Sequence, residues 1–133
     1  MARNKIIELL GRAAGYESMT LEQKEKALNN IEKGWEDLPD DKYKLSESAM
    51  VAIFVLEEYL IMGKPELARK WGDVLINDED RPDCGEKELI KGKILFESGQ
   101  IDEAKEFFKI AFQKSKGRIF AGEPKKYVDV LKK

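Results

Sequence analysis

Histidine is absent from the chain, and cysteine occurs once, at Cys84. The missing histidine excludes Ser-His-Asp and Cys-His centres, histidine general acid–base chemistry and histidine-bearing metal sites. A lone cysteine excludes an intramolecular disulfide and a cysteine metal cluster. Cys84 lies in an acidic loop, where a thiolate is disfavoured, so an incidental or structural thiol is expected. Only four prolines are present and the charges are interspersed, which argues against wholesale disorder. No glycine-rich phosphate or dinucleotide loop appears. Asp78, Asp80 and Asp83 lack the spacing, the glycine and the distal glutamate of a calcium loop, so solvated acidic turns are expected there. Neighbouring carboxylates such as Glu57 and Glu58 diverge around a helix rather than converge on a substrate. These gaps point away from an enzyme, and no cofactor or metal is expected.

Long apolar runs are missing too. The stretch "AMVAIFVLEEYLIMG" is broken by Glu57 and Glu58, so no membrane span is expected. "MARNKIIELLGRAAG" is interrupted by Glu8 and its apolar core is too short for a secretory signal. A cytoplasmic location with no membrane partner is the expectation.

What is present is charge and helical periodicity. Over 133 residues the composition is 42% hydrophobic and 38% charged, which suits a single soluble all-α domain spanning 1–133. The net charge of −2 is unevenly spread. Residues 1–83 carry 12 Lys/Arg against 18 Asp/Glu, and residues 84–133 carry 12 against 8. An acidic half and a basic end offer two kinds of surface to charged partners. From Lys105 onward the basic residues are nearly all lysine, with Arg118 the lone arginine, so solvated helix faces are expected rather than a nucleic-acid patch.

Ala104, Phe107, Phe108, Ala111 and Phe112 fall at i, i+3, i+4, i+7 and i+8, one stripe of an amphipathic helix. Asp102 and Glu103 suit its N-terminal end, and Gly117 is a plausible stop. An earlier helical pattern over 86–98 carries Leu89, Ile90, Ile94, Leu95 and Phe96. The Gly99-Gln100 break between them is short enough to impose an antiparallel hairpin. Thirty-six residues upstream the design recurs. Ala52, Val55, Leu56, Tyr59 and Leu60 form one stripe, Gly63-Lys64 breaks it, and Pro65 opens a helix with Ala68, Trp71, Gly72, Leu75 and Ile76 on one face. Two hairpins of one design at a fixed offset constitute an internal repeat. Phe108 and Ala111 replace Gly72 and Leu75, so large and small positions are exchanged.

Upstream, Thr20 and Gln23 fit a capping box before a helix with Leu28, Ile31 and Trp35 on one face. Ile6, Ile7, Leu9 and Leu10 suggest a shorter helix before it. Downstream, Pro124 opens a last helix bearing Tyr127, Val128 and Leu131. The expected organisation is N-terminal helices over 3–38, hairpins over 46–77 and 85–116, and a C-terminal capping helix over 124–132.

These hairpins resemble the tetratricopeptide repeat. Gly92, Gly99, Ala104, Phe108 and Ala111 match its pattern of small residue, turn glycine, alanine, aromatic and alanine. Tyr59, Gly63 and Ala68 match in the first hairpin, whereas Leu56, Gly72 and Leu75 depart from it. The repeat-ending proline is missing from both. The resemblance covers residues 49–116 and implies a short solenoid of stacked antiparallel hairpins with a capped end. It also implies a concave groove lined by the first helix of each hairpin. Carried over position by position, that groove is Met50, Ile53, Glu57, Leu60 and Ile61, then Glu86, Leu89, Lys93, Phe96 and Glu97. Apolar positions there would anchor a partner, and Glu57, Lys93 and Glu97 would set register. Arg118, Phe120 and Tyr127 are further candidates in the tail.

The ending "KSKGRIFAGEPKKYVDVLKK" after such a hairpin looks like that of small tetratricopeptide-like immunity proteins of bacterial polymorphic or contact-dependent toxins. That resemblance implies a non-enzymatic protein that binds one cognate toxin domain and blocks it. The alternative is a scaffold or chaperone adaptor that takes peptides in its groove. A carboxylate-clamp adaptor would need clustered basic groups along the groove, where only Lys93 qualifies.

Overall fold

A capping box at Thr20 opens the first long helix of the protein, seen in a computed structural model that describes residues 8, 11, 15–38, 46–78 and 82–132. The Gln23 amide donates to Thr20 Oγ1 at 3.2 Å, and the Thr20 amide donates back to Gln23 Oε1 at 2.9 Å. Six α-helices follow in order among the described residues: α1 (Leu21–Glu36), α2 (Ser46–Ile61), α3 (Pro65–Ile76), α4 (Glu86–Glu97), α5 (Ile101–Ser115) and α6 (Lys125–Asp129). Single 3-10 turns lie at Tyr16–Ser18, Arg118–Phe120 and Val130–Lys132. No strand occurs among the described residues, so the protein is all-α. Ile6, Ile7, Leu9, Leu10 and Asp80 lie outside the described residues.

The chain divides into two compact units, Met1–Val55 and Leu56–Lys133, with the division inside α2. In the first unit the expected face of α1 is buried: Leu28, Ile31 and Trp35 are each 1% exposed. Tyr16 stands edge-on to Phe54, with ring centroids 5.1 Å apart.

The second unit carries the repeated turns. At the end of α2, the Gly63 amide donates to the Leu60 carbonyl at 3.1 Å and the Lys64 amide to the Tyr59 carbonyl at 2.8 Å. Thirty-six residues on, the Gly99 amide donates to Phe96 at 3.1 Å and the Gln100 amide to Leu95 at 2.9 Å. This is the same Schellman closure twice, and it needs a left-handed residue at its pivot. Gly63 and Gly99 supply it with φ of 75° and 87°.

Helix α4 packs against α5 and against α3. The exchange of large for small residues becomes clear across these helices. A Cβ placed on Gly72 in α3 would lie 2.9 Å from Ile94 and 3.2 Å from Ile90, both of α4, and 3.5 Å from Leu56 in α2, whereas one on Gly92 in α4 would lie 2.5 Å from the Phe108 ring in α5. In one hairpin the bulky residue comes from the first helix, and in the other from the second. Phe108 fills the space Gly92 leaves open, and Ile94 and Ile90, with Leu56 beside them, fill that over Gly72, which keeps the interior close-packed.

Ala104, Phe108 and Ala111 are fully buried. They form a core with Leu89, Phe120, Tyr127 and Val130, so the C-terminal segment packs onto α4 and α5. Tyr127 and Phe120 are ring neighbours of Phe108, at centroid distances of 5.5 and 5.8 Å. Phe112 departs from the expected stripe. It is 43% exposed, because it sits beside the buried Ala111 at the edge of the covered face of α5.

Candidate functional site

Helix α4 starts at Gly85, and Glu86 and Glu88 stand in its first turn, where carboxylates complement the helix dipole. Midway along it sits Lys93, a charged residue only 2% exposed. Burying an ammonium group costs on the order of several kcal/mol unless counter-charges and hydrogen bonds offset it. Three groups do so here. Lys93 Nζ forms an ion pair with Glu57 of α2 and another with Glu123 at 2.7 Å, and it lies 5.7 Å from the centre of the Tyr127 ring.

One turn further on, Glu97 completes the cluster. It accepts a hydrogen bond from the Tyr127 hydroxyl at 2.8 Å and pairs with Lys126 at 2.5 Å. The Tyr127 hydroxyl is pushed well above the ordinary tyrosine value, first by burial and then by its bond to Glu97. It therefore stays a neutral donor through the physiological range. Two ammonium groups and three carboxylates thus tie α2, α4 and the C-terminal segment together.

The positions expected to face a partner divide into three groups. Met50 is 58% exposed, Ile53 38% and Ile61 77%, so these apolar side chains are open to solvent. Leu60 and Leu89 are buried, as is Lys93, and they present no surface. Phe96 and Glu97 are partly covered by the tail: Phe96 meets Tyr127 edge-on with centroids 5.2 Å apart. Glu57 stays 37% exposed in its side chain while holding Lys93, and Glu86 is half-buried. The structure thus joins Glu57, Lys93, Phe96 and Glu97 through Tyr127. Phe120 and Tyr127, both buried, anchor the tail.

Arg118 is exposed elsewhere, at a depression of about 430 Å³ shared with Cys84, Lys114, Ser115, Lys116 and Ile119. Lys114 is held there by Asp83 at 2.6 Å and Glu88 at 3.2 Å, so part of that basic lining is already paired. Cys84 is an exposed free thiol.

Sequence reasoning missed Glu123 and Lys126 as members of the α4 cluster. The opposite charges of Glu57 and Lys93 at the repeat offset were a usable signal for their pairing. Glu123 stands in the tail outside the repeat and carries no such signal. Among the described residues no group of three or more potential ligands could hold a metal ion, and no helix is long and apolar enough to cross a membrane. No protein-family model, curated protein or solved structure matches the chain.

Proposed function

We propose that this chain is a non-enzymatic protein-binding module, a short tetratricopeptide-like stack whose partner is a cognate bacterial toxin domain that it blocks in the cytoplasm. The observation that carries a binding role is the exposure of Met50, Ile53 and Ile61 on α2, at 58%, 38% and 77%. Large apolar side chains left open on a helix are where partner proteins gain most of their affinity. The repeat reading draws support from the two identical turns and from the Glu57–Lys93 ion pair, which joins equivalent positions of successive hairpins.

In this reading Met50 and Ile53 are the anchors, and Glu57, further along the same helix, adds a charged contact. Lys93 contributes indirectly, by holding Glu57 in place. Inhibition follows from occlusion of the toxin surface, with no chemistry on either side. The test is co-expression with the product of the adjacent gene. Protection from toxicity and a co-purifying complex support the proposal, whereas neither protection nor a complex contradicts it. Micromolar binding of many unrelated peptides would instead identify a peptide adaptor.

A further inference from the structure

The second exposed apolar feature lies at the other end of the chain. We infer that the groove between the end of α5 and the last helical turns docks an acidic amphipathic helix of a partner protein. Phe112, Val128 and Leu131 form its floor, Lys109, Gln113 and Lys132 stand at its edges, and it encloses about 380 Å³.

Phe112 is an anchor held ready. Although 43% exposed, its ring is fixed from behind. A Cβ on Gly117 would come within 2.9 Å of the ring, and the Phe120 centroid is 6.2 Å away. Gly117 has φ of 84°, and the preceding Lys116 has φ of 55°, so the chain turns tightly to bring glycine under that ring. A side chain already immobilised loses little entropy when a partner covers it.

The edges define the partner's charge. Among the described residues Lys109 pairs with Glu106 at 3.4 Å and Lys132 with Asp129 at 3.6 Å, both exposed pairs one turn apart in sequence. Such pairs are weak and exchange readily for an incoming carboxylate. The surrounding segment reinforces the sign: from Lys105 onward the chain has 9 basic residues and 3 acidic ones. An apolar floor flanked by cations is complementary to a helix with an apolar ridge and carboxylates beside it. A concave groove with two lysines at its edges has little purchase on a flat anionic bilayer, which rewards long basic clusters.

This surface shares no residue with Met50 and Ile53, and it stands or falls without the toxin-binding reading. The test is a titration of the isotope-labelled full chain, followed by NMR, with a synthetic helix carrying leucine on one face and glutamate beside it. A scrambled peptide, a version with lysine for glutamate, and anionic phospholipid vesicles serve as parallel probes. The expected result is saturable binding of the acidic helix, with shifts centred on Phe112, Val128 and Leu131. Phe112→Ser should abolish it, and Lys109→Glu with Lys132→Glu should weaken it at least tenfold while the fold is retained. The double lysine variant keeps the test valid if Phe112→Ser fails to fold. No saturable binding, equal binding of the lysine or scrambled peptides, or binding of vesicles in place of the helix overturns the inference.

Discussion

Lys93 and Glu57 lie 36 residues apart and form an ion pair, at the same offset by which the two hairpins repeat. One repeat supplies the cation and its predecessor the anion, at the same position in each first helix. The pair is therefore a tie between repeats, and Glu123 extends it into the tail. Replacing Lys93 by alanine should lower stability by about 2 kcal/mol, because it leaves two carboxylates facing each other beside a void. The partial exposure of Glu57 and Glu123 keeps the loss below that of a fully buried pair. Lys93→Met should cost less, since it fills the space without demanding a counter-charge. Urea denaturation of the two variants checks this ordering.

The complementary pair Gly92–Phe108 gives a second expectation. Gly92→Ala gains roughly 0.5–1 kcal/mol in helix propensity. It also places a methyl group 2.5 Å from the Phe108 ring, so a net loss of about 1–3 kcal/mol is expected. Adding Phe108→Gly to Gly92→Leu places the leucine and glycine of the first hairpin at the equivalent two positions of the second. A double-mutant cycle should then show a favourable coupling of about 1 kcal/mol or more. Strict additivity would remove the packing account.

Much of this framework was legible from the chain. The stripes through Ala52 and Ala104, the turn glycines and the Thr20 capping box are local signals, set by residues three to eight apart. The partner of Phe108 was less legible. Exchange of large and small residues was visible along α3 and α5, but its pairing across helices needs their relative register. The burial of Lys93 was not legible at all, because Glu123 and Tyr127 come from a tail with no period in common with the hairpins. Phe112 shows the same limit in reverse: its spacing placed it in the core, but it sits at the edge of the face that the tail covers.

Gly63 and Gly99 adopt the same left-handed geometry with the same pair of hydrogen bonds. Gly63→Ala and Gly99→Ala should each destabilise the protein by about 1–2 kcal/mol, and by nearly equal amounts. Among the described residues no atom crowds either position within 4 Å, so the cost should be one of backbone conformation alone. Thermal melts of the two variants supply the comparison.

Alkaline pH should loosen the tail. The Tyr127 hydroxyl is raised above its ordinary value of 10.0 in the folded chain. As pH climbs, the unfolded chain therefore loses this proton first and is favoured. The stabilising contribution is complete below about pH 10 and is lost progressively above it. Tyr127→Phe should cost about 1 kcal/mol at neutral pH through loss of the Glu97 bond, and should flatten the alkaline decline. Stability curves on both sides of pH 10 decide whether that slope belongs to Tyr127.

The most direct measurement is the affinity of the chain for the product of its neighbouring gene, by calorimetry, with and without Met50→Glu and Ile53→Glu. The account predicts a tight one-to-one complex, weakened at least tenfold by the double substitution, with the helical content of the free chain unchanged. An absent complex, or one indifferent to both residues, would contradict it.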